Sequence, residues 1–405
     1  MTCFVVDLQI YSCSKDGTIA LWDLQNGIRL DSWTVGNEPI ESMVVIGSKA
    51  YLTVFWRDSQ AGRALLYDLS KSTLSESRIK LSKPQLIAAS ASGNLVATFD
   101  RHTVLVWTAE QFGKVPALAL HHTKPITCIA IRPDGSQLAA GDATGRILIW
   151  HDVSMTLASQ LSKRGEAGSE QVKQEEPPVT TVHWHAHAVA CLLFSLDGVY
   201  LLSGGQEAVL VMWEAASGRR AYLPRLGAPL AGIAGCQGDM ARYAIRQSDN
   251  TLRIVNSASM TVEASVHGLR PRPRFLPNGP ESVAPIVFQP GTGYSVVSGP
   301  HSILQWYDFV RDRHVDRLQL TTRNVVSVSE ATASAQLNNG APPPEPVATA
   351  VEFSNDGSCM ATLESRPGVE NSLQYTLKFW DRAPPESAQY GRPYILNTMA
   401  DNPHR

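Results

Sequence analysis

Short runs of leucine and β-branched residues recur along the chain, and each of them closes on a tryptophan or a tyrosine. These runs occupy residues 19–23, 65–68, 104–107, 147–150, 209–213 and 377–381. The first four closing aromatics, Trp22, Tyr67, Trp107 and Trp150, lie 40 to 45 residues apart. Short apolar runs of this kind predict β-strands. A period of about 40 residues predicts that one small structural unit is repeated along the chain.

A fixed order of strands and turns precedes the closing aromatics. In the repeat that ends at Trp150, an apolar run at 127–131 is followed by a turn, a second run at 138–141 and a second turn. The Asp-Gly pair at 134–135 supplies the positive backbone dihedral that a tight hairpin needs. The same order precedes Trp213. These units are similar to the blades of WD-repeat proteins, so we expect an all-β WD-repeat β-propeller of about seven to eight blades, the first of them incomplete.

Two of the expected blades depart from the pattern. Residues 249–255 carry Val255 where the aromatic is expected, and residues 302–308 carry the doubled aromatic Trp306-Tyr307. We interpret the third-strand aromatics, two turn aspartates and two histidines as residues that stabilise the blades. This set contains Trp22, Tyr67, Trp107, Trp150, Trp213, Trp306, Trp380, Asp16, Asp142, His185 and His187.

The ends of the chain and two long connections interrupt the repeat. We expect residues 1–382 to form one propeller whose first blade lacks its opening strand. Residues 383–405 are interpreted as a linker followed by the first strand of a truncated second propeller. Residues 162–178 and 329–346 contain few large apolar side chains, so we expect both to be flexible surface loops.

Composition is that of a folded protein without a general affinity for polyanions. Of the 405 residues, 43% are hydrophobic and 18% are charged, and the formal net charge is −2. Nucleic acid would therefore have to be contacted locally rather than through a basic field over the whole surface. The six cysteines lack CxxC spacing, so we interpret them as reduced thiols. No apolar run approaches the roughly 18 residues that a membrane helix needs.

The histidines of residues 183–187 have two interpretations. His183, His185 and His187 alternate along the chain and could present imidazoles to a metal ion. In WD repeats, a histidine just before the first strand hydrogen-bonds toward a turn aspartate and the third-strand tryptophan, and His185 or His187 stands at that place. We favour this structural role. Because no phosphate loop, GxSxG elbow or HExxH motif occurs either, we predict a protein without catalytic residues, metal or cofactor.

Positive charge is concentrated at two places. One group of arginines surrounds the Tyr-Leu-Pro segment at 222–224, and the other forms an Arg-Pro alternation in a connection between blades. Proline cannot join a strand ladder, and spaced guanidinium groups suit phosphate contacts. An ordinary solvated or partner-facing loop is the alternative for both. The candidate contacts to RNA or to an acidic protein are Arg219, Arg220, Arg225, Arg270, Arg272 and Arg274.

Three stretches are more particular than the general repeat, namely residues 184–187, 201–213 and 222–228. They resemble a nucleolar tandem-propeller WD-repeat subunit of the small-subunit (U3) processome, a member of its UTP-A (transcription-linked) subcomplex. Residues 8–19 and 394–398 extend the similarity over nearly the whole chain. Members of that family have an additional N-terminal blade region, a second propeller and a C-terminal helical tail.

The resemblance implies a non-enzymatic scaffold of the nucleus and nucleolus. Its implied partners are other UTP-A subunits, the 5′ external spacer of pre-rRNA and U3 small nucleolar RNA, contacted directly or through proteins. Its implied role is to support pre-rRNA processing, biogenesis of the small ribosomal subunit and rRNA transcription. A generic WD-repeat adaptor, such as a ubiquitin-ligase substrate receptor or a chromatin-associated reader, is the alternative, and Trp380-Asp381-Arg382 matches the expected strand-end motif in part. A propeller enzyme with a metal in its central channel is a third possibility.

Overall fold

Antiparallel β-strands account for most of the fold. The computed structural model describes residues 2–6, 9–56, 61–75, 79–82, 86–113, 116–166, 176–224, 226–236, 239–269, 286–299, 302–321, 346–367, 373–384 and 393–401. Within these ranges the strands form eight sheets, each built from strands that are consecutive in sequence. Such four-stranded meanders are the blades of a WD-repeat β-propeller, and the predicted fold class is confirmed.

The strands of the first four blades follow one another in sequence order. Blade 1 contains β1 (Thr2–Val6), β2 (Gln9–Cys13), β3 (Thr18–Asp23) and β4 (Arg29–Thr34). Blade 2 contains β5 (Ile40–Ile46), β6 (Lys49–Trp56), β7 (Ala61–Asp68), β8 (Thr73–Ser75) and the short β9 (Lys80–Leu81), which also pairs with β7. Blade 3 contains β10 (Ile87–Ala89), β11 (Leu95–Asp100), β12 (Thr103–Thr108) and β13 (Leu118–His121). Blade 4 contains β14 (Ile126–Ile131), β15 (Leu138–Asp142), β16 (Arg146–Trp150) and β17 (Val179–His183).

The remaining four blades repeat the same order. Blade 5 contains β18 (Val189–Phe194), β19 (Tyr200–Gly205), β20 (Leu210–Glu214) and β21 (Arg220–Leu223). Blade 6 contains β22 (Leu230–Cys236), β23 (Asp239–Gln247), β24 (Thr251–Asn256) and β25 (Thr261–His267). Blade 7 contains β26 (Ile286–Phe288), β27 (Ser295–Gly299), β28 (Ile303–Asp308) and β29 (Arg313–Gln319). Blade 8 contains β30 (Val347–Phe353), β31 (Cys359–Pro367), β32 (Leu373–Arg382) and β33 (Tyr394–Asp401).

Among the described residues, two helices lie in connections between strands. A 3-10 helix, Ala109–Gln111, follows β12, and the helix α1, Val153–Glu166, lies between β16 and β17 of blade 4. Val153 and Leu157 are buried one turn apart on α1 and pack in the same apolar cluster as Trp150. Residues 162–166 were expected to begin a flexible loop, but they complete this helix because its apolar stripe anchors it to the blade. Residues 167–175 of the same predicted loop lie outside the described residues.

The chain divides into two compact units. The first comprises Met1–Ser248 and Leu252–Ser265, and the second comprises Asp249–Thr251 and Val266–Arg405. In the first unit the apolar core lies between neighbouring blades, as where Ile147 of blade 4 meets Trp213 of blade 5. In the second unit one cluster joins blades 7 and 8 through residues that include Trp306 and Trp380. Burial between the faces of adjacent sheets is thus what stabilises both units.

Glycine permits the closest approach of neighbouring blades. A Cβ atom at Gly141, in the second strand of blade 4, would lie 2.7 Å from the Cβ of Val189, the first residue of β18. A Cβ atom at Gly204, in the second strand of blade 5, would lie 2.9 Å from the Cβ of Leu230, the first residue of β22. Real Cβ atoms do not come this close, so the second strand needs glycine where the next blade begins.

The two ends of the chain differ from the sequence-based expectation. Thr2–Val6, rich in β-branched and aromatic residues, pairs antiparallel with β2, so blade 1 has four strands rather than an incomplete set. At the other end, β33 pairs with β32 as the fourth strand of blade 8, where the opening strand of a second propeller was expected. Tyr394 explains this second pairing, because its buried ring stacks on Trp306 of blade 7 at 6.0 Å.

Candidate functional site

A chain of hydrogen bonds runs through the buried part of blade 5. Trp213 Nε1 donates to Ser203 Oγ at 2.9 Å, and Ser203 Oγ lies 2.8 Å from Nε2 of His185. Nδ1 of His185 lies 3.1 Å from Oε2 of Glu207. Because a carboxylate only accepts, Nδ1 carries the proton, and neutral His185 then accepts the Ser203 O–H at Nε2. Every polar atom along this path therefore has a partner.

The acidic end of this chain is Glu207. Its Oε1 accepts from the backbone N–H of His187 at 2.8 Å and lies 3.1 Å from the His187 ring nitrogen Nδ1. Burial acts to raise the pKa of Glu207, but hydrogen bonds from the backbone and from His185 outweigh it, so the pKa is lowered. Burial lowers the pKa of His185, against the opposing effect of Glu207. A neutral imidazole beside an ionised carboxylate is consistent with the hydrogen-bond directions above.

The predicted histidines therefore lie together, with Glu207 in place of the expected turn aspartate. Both His185 and His187 contact this glutamate, whereas His183 is exposed at the end of β17. Among the described residues, no group of three or more His, Cys, Asp or Glu side chains is arranged to hold a metal ion. The structure instead contains a hydrogen-bond network that joins His187, Glu207 and His185 to Ser203 and Trp213.

Blade 4 carries a different arrangement of the same residue types. Asp142, which is fully buried, contacts Nε2 of His122 at 3.0 Å and accepts the backbone N–H of Arg146 at 2.9 Å. Burial acts to raise the pKa of Asp142, but these hydrogen bonds outweigh it and the pKa is lowered. Ala140 occupies the position of Ser203, so the polar contacts of Asp142 do not extend to Trp150 through a hydroxyl.

Two further blades hold their tryptophan through a hydroxyl group. Trp22 Nε1 donates to Ser12 Oγ at 2.8 Å in blade 1, and Trp380 Nε1 donates to Thr362 Oγ1 at 2.9 Å in blade 8. In both sheets, as in blade 5, the hydroxyl lies two residues after the cross-strand partner of the tryptophan. The hydroxyl residues could have been found from the sequence, because the antiparallel register of a hairpin fixes that two-residue offset.

The other residues predicted to stabilise blades lie outside these hydrogen-bond networks. Asp16 accepts the backbone N–H of Thr18 at 3.0 Å, and hydrogen bonds from Thr18 lower its pKa. Tyr67 and Trp107 are buried in the third strands of blades 2 and 3. Trp306 is also buried, and its indole N–H has no hydrogen-bond partner among the described residues.

A buried ion pair in blade 8 was not predicted from the sequence. Lys378 Nζ contacts the carboxylate of Glu364, and both side chains are less than 8% exposed. Lys378 Nζ also donates to the backbone oxygen of Leu320 at 2.7 Å and to Thr321 Oγ1 at 3.0 Å. Glu364 in turn accepts from Ser302 of blade 7. These bonds connect blade 8 to the end of blade 7. The sequence feature that could have predicted this ion pair is the presence of two charged residues at inward positions of adjacent strands.

The structure describes two of the six candidate arginines. Arg219 and Arg220 are exposed, and the Arg220 guanidinium lies 5.9 Å from the centre of the Tyr222 ring. The Tyr222 ring lies 5.1 Å from the Trp184 ring. The remaining candidates, Arg225, Arg270, Arg272 and Arg274, lie outside the described residues. Trp184, which precedes His185, was not singled out as a contact residue.

Cys13, Cys128 and Cys191 are buried. Burial raises the pKa of Cys191 to about 12 and raises that of Cys128 further. In the part of the chain that the structure describes, no helix is long and apolar enough to cross a membrane.

Comparison with known proteins identifies relatives over almost the whole chain. A family model described as the first β-propeller of WD repeat-containing protein 75 matches residues 167–250, and the WD domain, G-beta repeat, matches residues 115–151. WD repeat-containing protein 75 of Danio rerio is 28% identical over 98% of this chain and 45% of its own length. The chain thus spans about half the length of that relative.

Two fungal proteins are similar over shorter stretches. The U3 small nucleolar RNA-associated protein 17 of Schizosaccharomyces pombe is 29% identical over 67% of this chain and 33% of its own length. The NET1-associated nuclear protein 1 of Saccharomyces cerevisiae is 24% identical over 70% of this chain and 33% of its own length. The resemblance to the processome subunit is confirmed: the chain is homologous, over most of its length, to WD repeat-containing protein 75 and to the U3 small nucleolar RNA-associated protein 17.

Proposed function

We propose that this protein is a non-enzymatic scaffold of the small-subunit processome, within its UTP-A subcomplex. In this role it joins other UTP-A subunits on the 5′ external spacer of pre-rRNA and on U3 small nucleolar RNA. It thereby supports pre-rRNA processing, small-subunit biogenesis and rRNA transcription, and it resides in the nucleolus. The observation that carries the proposal is the similarity to WD repeat-containing protein 75 over 98% of this chain, together with that to a U3 small nucleolar RNA-associated protein.

The architecture supports a role in assembly. The fourth strands of several blades are exposed along almost their whole length, including β4, β8 and β25. Outer strands of this kind present side chains and backbone groups to partners, while the buried blade faces keep the framework rigid. Several proteins can therefore dock on separate blades of one molecule.

The charge distribution supports local contact with RNA. The formal net charge of −2 provides no general attraction to a polyanion. Exposed Arg219 and Arg220, together with Arg225 and the Arg270, Arg272 and Arg274 string, are the groups that we assign to such contacts. Arginine suits this role because its planar guanidinium binds phosphate oxygens in a bidentate manner.

The proposal is tested by affinity purification of the tagged protein from growing cells. U3 small nucleolar RNA and 5′ external spacer RNA are quantified in the eluate, with an unrelated WD-repeat protein purified in parallel as the control. We expect strong enrichment of both RNAs over the control. Background amounts of both RNAs, with the protein intact and soluble, would overturn the proposal and favour a generic adaptor.

A further inference from the structure

A stripe of basic and aromatic side chains runs from the third strand of blade 4 to the outer strand of blade 5. Arg146, the first residue of β16, is the cross-strand partner of His183, the last residue of β17. Trp184 follows His183 directly, and its ring lies 5.1 Å from that of Tyr222 on β21. Arg220, two residues before Tyr222, lies over the same ring at 5.9 Å. Strand pairing links Arg146 to His183, the chain continues from His183 to Trp184, and ring contacts link Trp184 to Tyr222 and Arg220. These five residues are here called the Arg146–Arg220 stripe.

The stripe is open to solvent and its charges are not neutralised internally. Arg146, His183, Arg220 and Tyr222 are exposed, and Trp184 is half-buried. Among the described residues, no carboxylate forms an ion pair with either arginine of the stripe, whereas the nearby Glu207 is occupied by His185 and His187. An anionic ligand would therefore meet guanidinium groups that no described carboxylate engages.

The ring pair is held firmly enough to act as a platform. The Trp184 ring also lies nearly perpendicular to the His185 ring, with ring centres 5.0 Å apart, and His185 is held by Ser203 and Glu207. The hydrogen bonds of His185 thus set the position of Trp184. Rigid aromatic groups lose little entropy when a ligand stacks on them.

We propose that the Arg146–Arg220 stripe binds a short stretch of single-stranded RNA, with Trp184 and Tyr222 contacting bases and the arginines contacting phosphates. Unpaired strands are recognised by aromatic side chains interleaved with positive charge, because every base has a face that can stack. This inference rests on the proposed function, since it assigns one RNA-contacting surface to the scaffold.

A protein partner fits the stripe less well. A protein interface needs an apolar centre, and the large exposed apolar side chains on β17 and β21 are limited to Val179 and Tyr222. Positive groups interrupted by two rings match the alternation of phosphate and base along a single strand. An acidic protein segment is the alternative ligand, and the experiment distinguishes it from RNA by competition.

The experiment measures binding of the purified full chain to a fluorescent single-stranded oligouridine of about 12 nucleotides, within the site sizes of known single-strand binders. Salt is varied, and a poly-glutamate peptide is used as competitor. We expect Tyr222→Leu to weaken binding about tenfold through lost stacking, and Tyr222→Phe to bind like the unaltered chain. We expect Arg146→Gln with Arg220→Gln to weaken binding and to reduce the slope of log affinity against log salt by about 1.4.

The control variant removes two arginines elsewhere. Arg311 lies in the turn between β28 and β29, and Arg313 is the first residue of β29; both are exposed. Arg311→Gln with Arg313→Gln therefore changes the net charge equally and should leave binding within about twofold. Equal losses for both arginine pairs, or displacement of the oligouridine by stoichiometric poly-glutamate, would overturn the stripe as an RNA site. If the unaltered chain enriches U3 small nucleolar RNA from cells but does not bind the oligouridine, the inference fails and the proposed function stands.

Discussion

The third-strand tryptophans of blades 5 and 7 occupy equivalent places in their sheets but are held by different forces. Trp213 pairs with Leu201 and donates to Ser203, two residues further along that strand. Trp306 pairs with Val296, and the equivalent hydroxyl of Ser298 donates instead to the backbone oxygen of Ala348 at 3.3 Å. The same sequence signature thus marks a hydrogen-bonded tryptophan in one blade and an aromatic packing residue in the other.

In the second unit, two other interactions stand where the described residues offer Trp306 no hydrogen-bond partner. The Trp306 ring stacks on Tyr394, whose hydroxyl donates to Gly357 at 2.9 Å and accepts from Gln289 at 3.0 Å. The buried pair of Glu364 and Lys378 provides the polar link between blades 7 and 8. Blade 5 is therefore fixed by a neutral histidine network, whereas blades 7 and 8 are fixed by stacking and an ion pair.

The largest expected effect comes from breaking the ion pair. Lys378→Met leaves the Glu364 carboxylate buried without its cation, and we expect the free energy of unfolding to fall by about 3–5 kcal/mol. Denaturation in urea measures the change. The double variant Lys378→Met with Glu364→Leu removes both charges and should recover most of the loss. Equal losses in the single and double variants would show that the pair is not what links the two blades.

A smaller effect is expected where blade 5 meets blade 6. Gly204→Ala places a Cβ atom against Leu230, and overpacking of this kind costs about 1–3 kcal/mol. Gly36→Ala is the matched control, because a Cβ atom there meets nothing within 4 Å. Thermal unfolding of the two variants is compared with that of the unaltered chain. A Gly204→Ala protein as stable as the control would contradict the close approach.

The comparison of the two tryptophans can be tested by the same substitution in each blade. Trp213→Phe loses the hydrogen bond to Ser203, whereas Trp306→Phe removes an indole N–H that has no partner among the described residues. Both changes remove similar ring volume, so we expect Trp213→Phe to cost about 1–2 kcal/mol more in unfolding free energy. Equal costs, measured in urea, would mean that the Trp213 hydrogen bond contributes nothing.

The smallest expected effect is a pH dependence of the unfolding free energy, caused by His185 next to blade 5. Burial lowers the pKa of folded His185 below its ordinary value of 6.5, so the unfolded chain binds a proton more readily in that range. Stability contributed by neutral His185 is therefore complete above about pH 6.5 and is lost as the pH falls below that value. His185→Gln should flatten the acid limb of the stability curve, and exposed His102→Gln should leave it unchanged. An acid limb identical in His185→Gln and the unaltered chain would exclude this group.

Local pattern was sufficient to predict the repeat and its third strands. The aromatics, the Asp-Gly turns and the spacing predict blades because each is a short-range property of the chain. The hydroxyl groups that accept from the tryptophans, on Ser12, Ser203 and Thr362, follow from hairpin register and could also be predicted from the sequence. The fold class therefore needed no information from distant contacts.

Other features depend on contacts that local pattern does not contain. β1 and β33 lack the closing aromatic, and their membership of blades 1 and 8 is decided by pairing with β2 and β32. The ion pair of Glu364 and Lys378 joins residues on two strands to a third segment around Thr321. The Trp184 platform is likewise assembled from two blades. The ion pair and the Trp184 platform thus join segments that lie far apart in the sequence, whereas β1 and β33 each pair with a neighbouring strand.

The central claim, that this WD-repeat chain works within a U3-containing particle, is tested most directly by sedimentation. Lysate from cells that express the tagged protein is fractionated on a density gradient, and the protein and U3 small nucleolar RNA are measured in every fraction. We expect the protein to co-migrate with U3 RNA in large particles and to shift to light fractions after ribonuclease treatment. Intact protein confined to light fractions before ribonuclease treatment, while U3 RNA sediments in large particles, would contradict the claim.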